Sequence, residues 1–476
     1  MGNAGSHSRD FETLRRYFED HDQGHVFRFW SVLDAAGRAR LLAQARAIEL
    51  PALIAAYRRS LESAAPRARK LEPVPAERTA ERGGDPAKIA EARGRGEALL
   101  RAGRLALLVV AGGQATRLGF QGPKGAFPIG PLTGRTLFEL QAQKIRGLGR
   151  RFARPLPWYV MTSPATEAAT RALFERHAYF GLPPEDVFLF RQGTVQSFDF
   201  EGRLLLERPD RIFENPDGHG GSLPALLASG ALEDMEGRGV DTIFYYQVDN
   251  PLVRIADPVY LGFHDATGSE MSCKVVRKVD PMEKVGVLAR VDGRVGVVEY
   301  TELDDEHRFA RDESDELVYW AGNTATHALA TGFARRVAAD AERILPYHAS
   351  AKKIPTLDDA GLPVQPAEPN GHKLERFVFD ALPAACGVCV VEANRGEEYS
   401  PIKNTEGDDS PTTARRDLVA QYRRWLEAGG IELPPAGTPI EIDHSRVDGP
   451  AEARALAVRS AAEAGDAIRV GAGGAP

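Results

Sequence analysis

The stretch that decides the fold is Leu107-Leu108-Val109-Val110-Ala111-Gly112-Gly113-Gln114-Ala115-Thr116-Arg117-Leu118-Gly119, followed closely by Pro123-Lys124-Gly125. An apolar run of Leu and Val bounded by glycine reads as a buried strand. Adjacent glycines let the backbone pass close to a flat or anionic ligand, where a Cβ would collide. Arg117 and Lys124 add positive charge beyond the turn. The combination points to a nucleotide phosphate. It lacks the Gly-Lys-Ser/Thr ending of a P-loop, and it is not Gly-x-Gly-x-x-Gly, because Ala115 and Thr116 follow Gln114. Taken alone, a glycine turn after a strand is more often a plain connector. The surrounding chain has to decide.

From Leu105 to about Arg277 strands and helices alternate. Residues 158–161, 187–190 and 242–248 read as strands, and residues 136–145, 164–177 and 222–232 as helices. This predicts an α/β fold, a mixed and mostly parallel sheet flanked by helices, with ligand loops gathered at one end of the strands. Upstream, residues 1–10 are expected to be disordered, 11–62 helical, 63–85 an extended linker on the outside, and 86–101 a helix. Downstream, 274–276, 285–289 and 295–300 resemble meander strands, and 303–317 an acidic, mobile loop. A helix is predicted at 326–341, a polar loop and then an amphipathic helix between 345 and 380, and a strand at 388–391. Residues 420–476 read as a small terminal domain with a loose end. The expected division is a helical region and linker (1–100), a central nucleotide- and sugar-binding domain (101–385), and the end of that domain with a small C-terminal domain (386–476).

With 476 residues, 43% hydrophobic and 27% charged, the chain has an ordinary soluble balance. Its net charge of -7 announces no nucleic-acid partner. No apolar run reaches bilayer-spanning length, and the polar N-terminus does not read as a signal peptide. Three cysteines, Cys273, Cys386 and Cys389, are too few for a disulfide framework, so a reducing cytoplasm is expected. Cys386-Gly-Val-Cys389 has no second pair, and core packing is its plainer reading than zinc.

Three polar stretches stand out. Pro216-Asp217-Gly218-His219-Gly220-Gly221-Ser222 precedes a helix, and its glycines allow close backbone approach to a ligand, although an ordinary turn would look the same. Val248-Asp249-Asn250-Pro251 ends a strand with a carboxylate suited to Mg²⁺, which takes one or two carboxylates plus phosphates. Ser400-Pro401-Ile402-Lys403-Asn404 offers Lys403 as a point charge for a phosphate, where a solvated lysine is the plainer alternative. Phe377 and Phe379 read first as core aromatics.

Together these stretches resemble the UDP-N-acetylhexosamine pyrophosphorylases of the eukaryotic UTP–sugar-1-phosphate uridylyltransferase superfamily. The match also includes Pro157–Ser163, Ala256-Asp257-Pro258, Val298-Glu299-Tyr300, Ala321-Gly322-Asn323, Lys352-Lys353-Ile354-Pro355 and Asp409–Arg415, in one order from about residue 11 to 430. The resemblance implies a glycosyltransferase-A-like (Rossmann-like) central domain. It also implies the reaction UTP + sugar 1-phosphate ⇌ UDP-sugar + pyrophosphate, with Mg²⁺ or alternatively Mn²⁺. Carried onto this chain, Gly112 and Gly113 lie under the uracil and ribose, and Gln192 and Gly218 contact the uridine. Arg117 and Lys124 hold the triphosphate, Asp249 holds the metal and phosphates, and Lys403 meets the phosphate bridge. His219, Gly286, Glu299, Asn323, Phe377 and Phe379 line the sugar site.

The chemistry suits these residue types. A sugar phosphate is already a nucleophile, so the difficulty is electrostatic, and fixed cations address it. Ala115 replaces a glycine usual in the family, and His219 an asparagine typical of its animal members. Histidine there also resembles the UDP-glucose and broad-range pyrophosphorylases, but the full-length pattern favours the N-acetylhexosamine branch, with N-acetylglucosamine 1-phosphate or N-acetylgalactosamine 1-phosphate ahead of glucose 1-phosphate or a broad range of sugar 1-phosphates as substrate. A UDP-sugar-dependent glycosyltransferase is disfavoured by the missing Asp-x-Asp, and an inactive UDP-sugar sensor by Arg117, Lys124, Asp249 and Lys403 standing together. Monomer and dimer are both open.

Overall fold

The computed structural model describes residues 4–63 and 69–471. The chain forms two compact units. The larger takes Arg69–Gln192, Leu223–Asp340 and Ala381–Pro476; the smaller takes Met1–Ala68, Gly193–Ser222 and Ala341–Asp380.

The larger unit is built on a ten-stranded mixed sheet flanked by helices. Its strands are β1 (Leu71–Pro73), β2 (Leu105–Val110), β3 (Trp158–Thr162), β4 (Val187–Arg191), β5 (Thr242–Gln247), β6 (Met271–Arg277), β7 (Val287–Val291), β8 (Arg294–Val298), β9 (Ala321–Ala330) and β10 (Val388–Glu392). One half is parallel, in the order β5-β2-β3-β4. All six residues of β2 are buried, as expected of a parallel strand covered on both faces. β9 runs antiparallel to β5, β6 and β7, and β10 lies parallel to β6. Helices Pro86–Ala102 and Pro258–Thr267 cross with backbones nearly touching: a Cβ on Gly96 would lie 1.9 Å from Pro258 O, and one on Gly262 1.6 Å from Ala92 O. Helix Leu137–Phe152 starts on a Thr136–Glu139 capping box. Its Phe138 packs edge-on against Trp158 and Phe174 in the core.

In the smaller unit, helices Ala4–Glu19, Ala35–Arg46 and Leu50–Ser63 accompany a three-stranded sheet, His348–Lys352, Gly371–Glu375 and Phe198–Asp199. Its core joins Phe18, Phe27, Leu41 and Leu42 to Phe198 and Leu374. Two hairpins, with strand pairs Thr194–Gln196/Glu214–Pro216 and Leu206–Arg208/Arg211–Ile212, precede the glycine-rich turn at 217–221.

Several predicted elements differ. Residues 4–10 belong to a helix rather than to a disordered leader; residues 1–3, 64–68 and 472–476 lie outside the described residues. The 69–85 linker supplies edge strand β1, and Glu77 bridges to Val391, so this segment completes the sheet. The helix expected at 222–232 breaks at Gly230 (φ 78°) into Ser222–Ala228 and Ala231–Gly237. The meander is only the β7–β8 hairpin, because β6 pairs with β9 and β10. The acidic 303–317 segment holds a short helix, Asp305–Phe309, and Glu316 pairs with Arg277 and Arg82. The helix predicted at 326–341 begins only at Thr331; Ala321–Ala330 is strand. Between 345 and 380 strands and a 3₁₀ turn replace the amphipathic helix.

Candidate active site

The parallel half of the sheet delivers four loops to one end. Gly112 follows β2, Ser163 follows β3, Gln192 follows β4 and Asp249 follows β5. This is where open α/β sheets bind ligands. Ser163 Oγ donates to Gly112 O at 2.7 Å, fixing the turn. A Cβ on Gly112 would lie 2.3 Å from Gln192 Oε1, so a larger residue there would push the Gln192 amide aside; Gly113 faces open space. The loop then closes on itself, with Lys124 N donating to Gly113 O at 2.9 Å and Ala115 N to Gly122 O at 3.1 Å. Ala115 has ordinary angles (φ −93°, ψ 23°) and its methyl is buried in the core, so alanine needs no strain here.

Lys124 Nζ and Asp249 Oδ2 form an ion pair at 2.8 Å, both side chains largely buried. The Asp249 loop is held from below. Gln141 Nε2 donates to Val248 O at 3.0 Å, and the buried ammonium of Lys144 donates to Pro251 O and Val253 O at 2.9 and 2.8 Å. Burial lowers the Lys144 pKa to about 8. Sequence reading missed Gln141 and Lys144, although two polar residues at 141 and 144 within an otherwise apolar helix face were a usable signal.

The segment carrying Lys403 reaches the same place. Ile402 N donates to Asp249 O at 2.9 Å, and Thr405 Oγ1 donates to Arg117 O at 2.8 Å. Lys403 Nζ lies 3.3 Å from Asp409 Oδ2 and 3.4 Å from Tyr399 Oη. Burial disfavours its charge, but Tyr399, Asp409 and Asp249 outweigh that, and its pKa is raised. Arg117 and Lys403 both line a cavity of about 980 Å³. Thus Gly112, Gln192, Arg117, Lys124, Asp249 and Lys403 gather at one end of the sheet.

Two further clusters form. In the larger unit a two-residue bulge in β9 sets Lys274 opposite Thr326 but Val275 opposite Asn323, leaving Thr324 and Ala325 over. Thr324 Oγ1 donates to Lys274 O, and Asn323 N donates to Gly286 O at 2.8 Å. Glu299 Oε1 lies 3.2 Å from where a Cβ on Gly286 would be, so Gly286, Glu299 and Asn323 are neighbours.

In the smaller unit Gly218 (φ 87°), Gly220 and Gly221 allow close approach of the chain to itself. A Cβ on Gly218 would meet Arg376 O at 2.5 Å, and one on Gly220 would meet Phe377 C at 2.7 Å. Gly220 N donates to Arg376 O and Arg376 N to Asp217 O, both at 2.8 Å. This lacing brings His219 against Phe377 (5.3 Å, stacked) and Phe379 (5.6 Å). His348 stacks on Phe377 at 4.6 Å and pairs with Asp380 at 2.8 Å. Val378 N donates to His219 Nδ1 at 3.2 Å, which leaves Nε2 to carry the ring proton. Burial, reinforced by His348, lowers the His219 pKa to about 4.

The fold is that of an α/β protein with a mixed, mostly parallel sheet, and its Lys124–Asp249 pair meets the Lys403 segment at the ends of the parallel strands. Residues 54–412 match the UTP–glucose-1-phosphate uridylyltransferase (UDPGP) family, and the chain belongs to that family. It is 40% identical to UDP-N-acetylhexosamine pyrophosphorylase-like protein 1 of Xenopus tropicalis over 451 residues, covering 91% of this chain and 88% of that protein. It is 36% identical to UDP-N-acetylglucosamine diphosphorylase 1 of Arabidopsis thaliana, covering 90% and 88%. The solved uridine diphosphate N-acetylglucosamine pyrophosphorylase of Trypanosoma brucei, crystallised with an inhibitor, superimposes with a TM-score of 0.80 at 27% identity, covering 94% of this chain and 95% of that one.

Proposed function

We propose that the protein is a uridylyltransferase that forms UDP-N-acetylglucosamine and pyrophosphate from UTP and N-acetylglucosamine 1-phosphate. The observation that carries this is the meeting of Lys124, Asp249, Arg117 and the Lys403 segment at the ends of the parallel strands. The names of the curated relatives favour the N-acetylhexosamine substrate. We read the sheet and its ligand loops as glycosyltransferase-A-like, and the three free thiols suit a cytoplasmic enzyme.

The sugar phosphate oxygen attacks the α-phosphorus of UTP, the bond to the β-phosphate oxygen breaks, and pyrophosphate leaves with the electron pair. Gly112, Gly113 and Gln192 are the proposed uridine contacts on the larger unit. Arg117, Lys124 and Lys403 offset the negative charge that otherwise repels the incoming phosphate, and they hold the groups for in-line displacement. Lys124 Nζ holds Asp249 Oδ2 in the free protein, so arriving phosphates compete with that carboxylate oxygen for the ammonium. Asp249 offers a hard carboxylate oxygen just beyond the end of β5. That fits Mg²⁺, or Mn²⁺ in its place, which completes its coordination with phosphates and water. The metal would supply charge neutralisation on the phosphates. In the larger unit Glu299 would accept from sugar hydroxyls beside Gly286 and Asn323; in the smaller, His219, Phe377 and Phe379 offer an aromatic face to a hexose.

The test is pyrophosphate release from UTP and Mg²⁺ with N-acetylglucosamine, N-acetylgalactosamine, glucose and galactose 1-phosphates. N-acetylglucosamine 1-phosphate is expected to give the highest kcat/KM. No release with any of the four overturns the activity, and a preference for glucose 1-phosphate replaces the substrate.

A further inference from the structure

Asp249 and Lys403 are 154 positions apart in the chain, and one amide joins their segments. Asn250 is 3% exposed. Its Nδ2 donates to Glu398 O at 2.7 Å, and its Oδ1 accepts from Ser400 N at 3.1 Å and from Leu252 N at 3.3 Å. The side chain therefore grips the backbone on both sides of Tyr399. Tyr399 is the residue whose hydroxyl meets Lys403 Nζ at 3.4 Å and whose ring lies 5.8 Å beneath it. Two residues beyond the grip, Ile402 N donates to Asp249 O at 2.9 Å.

The grip rests on a second, buried layer. Lys274 Nζ is paired with Asp257 Oδ2 at 2.9 Å and with the Glu398 carboxylate. Asp257 caps helix Pro258–Thr267 by accepting from Val259 N. Ser400 Oγ donates to Asp417 Oδ2 at 2.8 Å, and Gln421 Nε2 to Glu397 O at 2.6 Å. Buried polar groups satisfied in this way hold one arrangement, because breaking any bond leaves a buried donor or acceptor unpaired.

We infer that Asn250 is a positioning residue for the transfer reaction, setting the place of the Lys403 ammonium relative to the Asp249 carboxylate. This rests on the proposed role of Lys403 at the phosphates. Asn250 does not itself offer a free polar atom to substrate, since both ends of its amide are engaged by backbone. Its effect must pass through the segment it holds. A cation displaced by about 1 Å from a developing charge loses much of its value, on the order of a hundredfold in rate.

The experiment is a double-mutant cycle in the full-length protein, measuring kcat and the KM for UTP and sugar 1-phosphate. Asn250→Ala is expected to lower kcat roughly tenfold or more while leaving the KM for UTP within about twofold. Asn250→Asp retains the acceptor for Ser400 N but turns a carboxylate oxygen toward Glu398 O in place of the donor; it serves if the alanine variant does not fold, and it is expected to lower kcat in the same way. In a Lys403→Ala background either Asn250 change is expected to lower kcat little further. Equal fold losses with and without Lys403 overturn the inference, as does an unchanged kcat in folded Asn250 variants. An inactive wild type would instead overturn the proposed reaction. A fully active Lys403→Ala would remove the role of Lys403 on which the inference depends, and would overturn it.

Discussion

Gly112→Ala would set a methyl 2.3 Å from Gln192 Oε1 and force that side chain aside. Because Gln192 is buried at the end of β4, its displacement would reshape the floor of the proposed uridine site. The expected outcome is a KM for UTP raised roughly tenfold, the scale of one lost hydrogen-bonded contact, with less change in the KM for sugar 1-phosphate; steady-state kinetics with each substrate varied checks it. The identity of this glycine was legible in the sequence, but its reason was not. Glycine reads as room for a ligand, and here the room is taken by a glutamine 80 positions away. The same holds at Gly218 and Gly220, where the neighbour is the chain's own Arg376–Phe377 backbone. Ala115, the odd residue of its loop, proves ordinary because its angles suit any side chain and its methyl joins the core. His219 and Phe377 were placed together by resemblance alone; nothing in local pattern tells that Val378 N donates to the His219 ring.

Among the elements, β9 carries the most. Its ten residues join β5, β6 and β7, and its bulge at Thr324–Ala325 sets Asn323 beside Gly286. Deleting Thr324 and Ala325 together would restore a regular ladder with β6, leaving Asn323 opposite Val275 but removing the Ala325 N–H that its Oδ1 accepts at 3.0 Å and so freeing its side chain. The expected result is a folded protein whose KM for sugar 1-phosphate rises roughly tenfold while the KM for UTP holds; circular dichroism and kinetics check both halves. The sequence Ala-Gly-Asn-Thr-Ala-Thr-His-Ala-Leu-Ala over 321–330 conceals this strand, because alanines and a helix-like continuation into 331–339 blur the two-residue period. Tertiary context overrides propensity there: the strand is buried between partners on both sides. Strands such as β2 and β3, which are buried throughout and almost wholly apolar, were legible for the opposite reason. A central parallel strand needs nothing but apolar β-formers, and its sequence says so.

At the scale of the whole molecule, burial leaves histidines neutral in both units. His219 in the smaller unit and His264 in the larger titrate near 4, and His25 and His444 are also lowered, each chiefly by burial. The unfolded value is 6.5, so between pH 6.5 and 4 the unfolded chain binds more protons than the folded one. Stability is therefore full above pH 6.5 and falls as the pH drops, by roughly 1.4 kcal/mol per pH unit for each of His219 and His264. Thermal unfolding at pH 7 and pH 5 is expected to show a clear loss of Tm at the lower pH. His264→Asn, which can keep the bond to Ser272 Oγ, should make the loss smaller. An unchanged pH slope in that variant would show that His264 contributes nothing to it.

The sequence by itself determined the parallel half of the sheet, the turn after β2, and the residue types a phosphate-transfer site requires. Those are properties of short stretches, where apolar runs, glycine and charge act over a few residues. Only the tertiary structure decided the partners: Lys124 on Asp249, Asn250 on the segment before Lys403, and the Asp217–Gly221 turn on Arg376–Phe377. Each joins positions more than a hundred residues apart, and such contacts are fixed by which buried donor meets which acceptor once the chain has packed. No local pattern in the sequence records that choice.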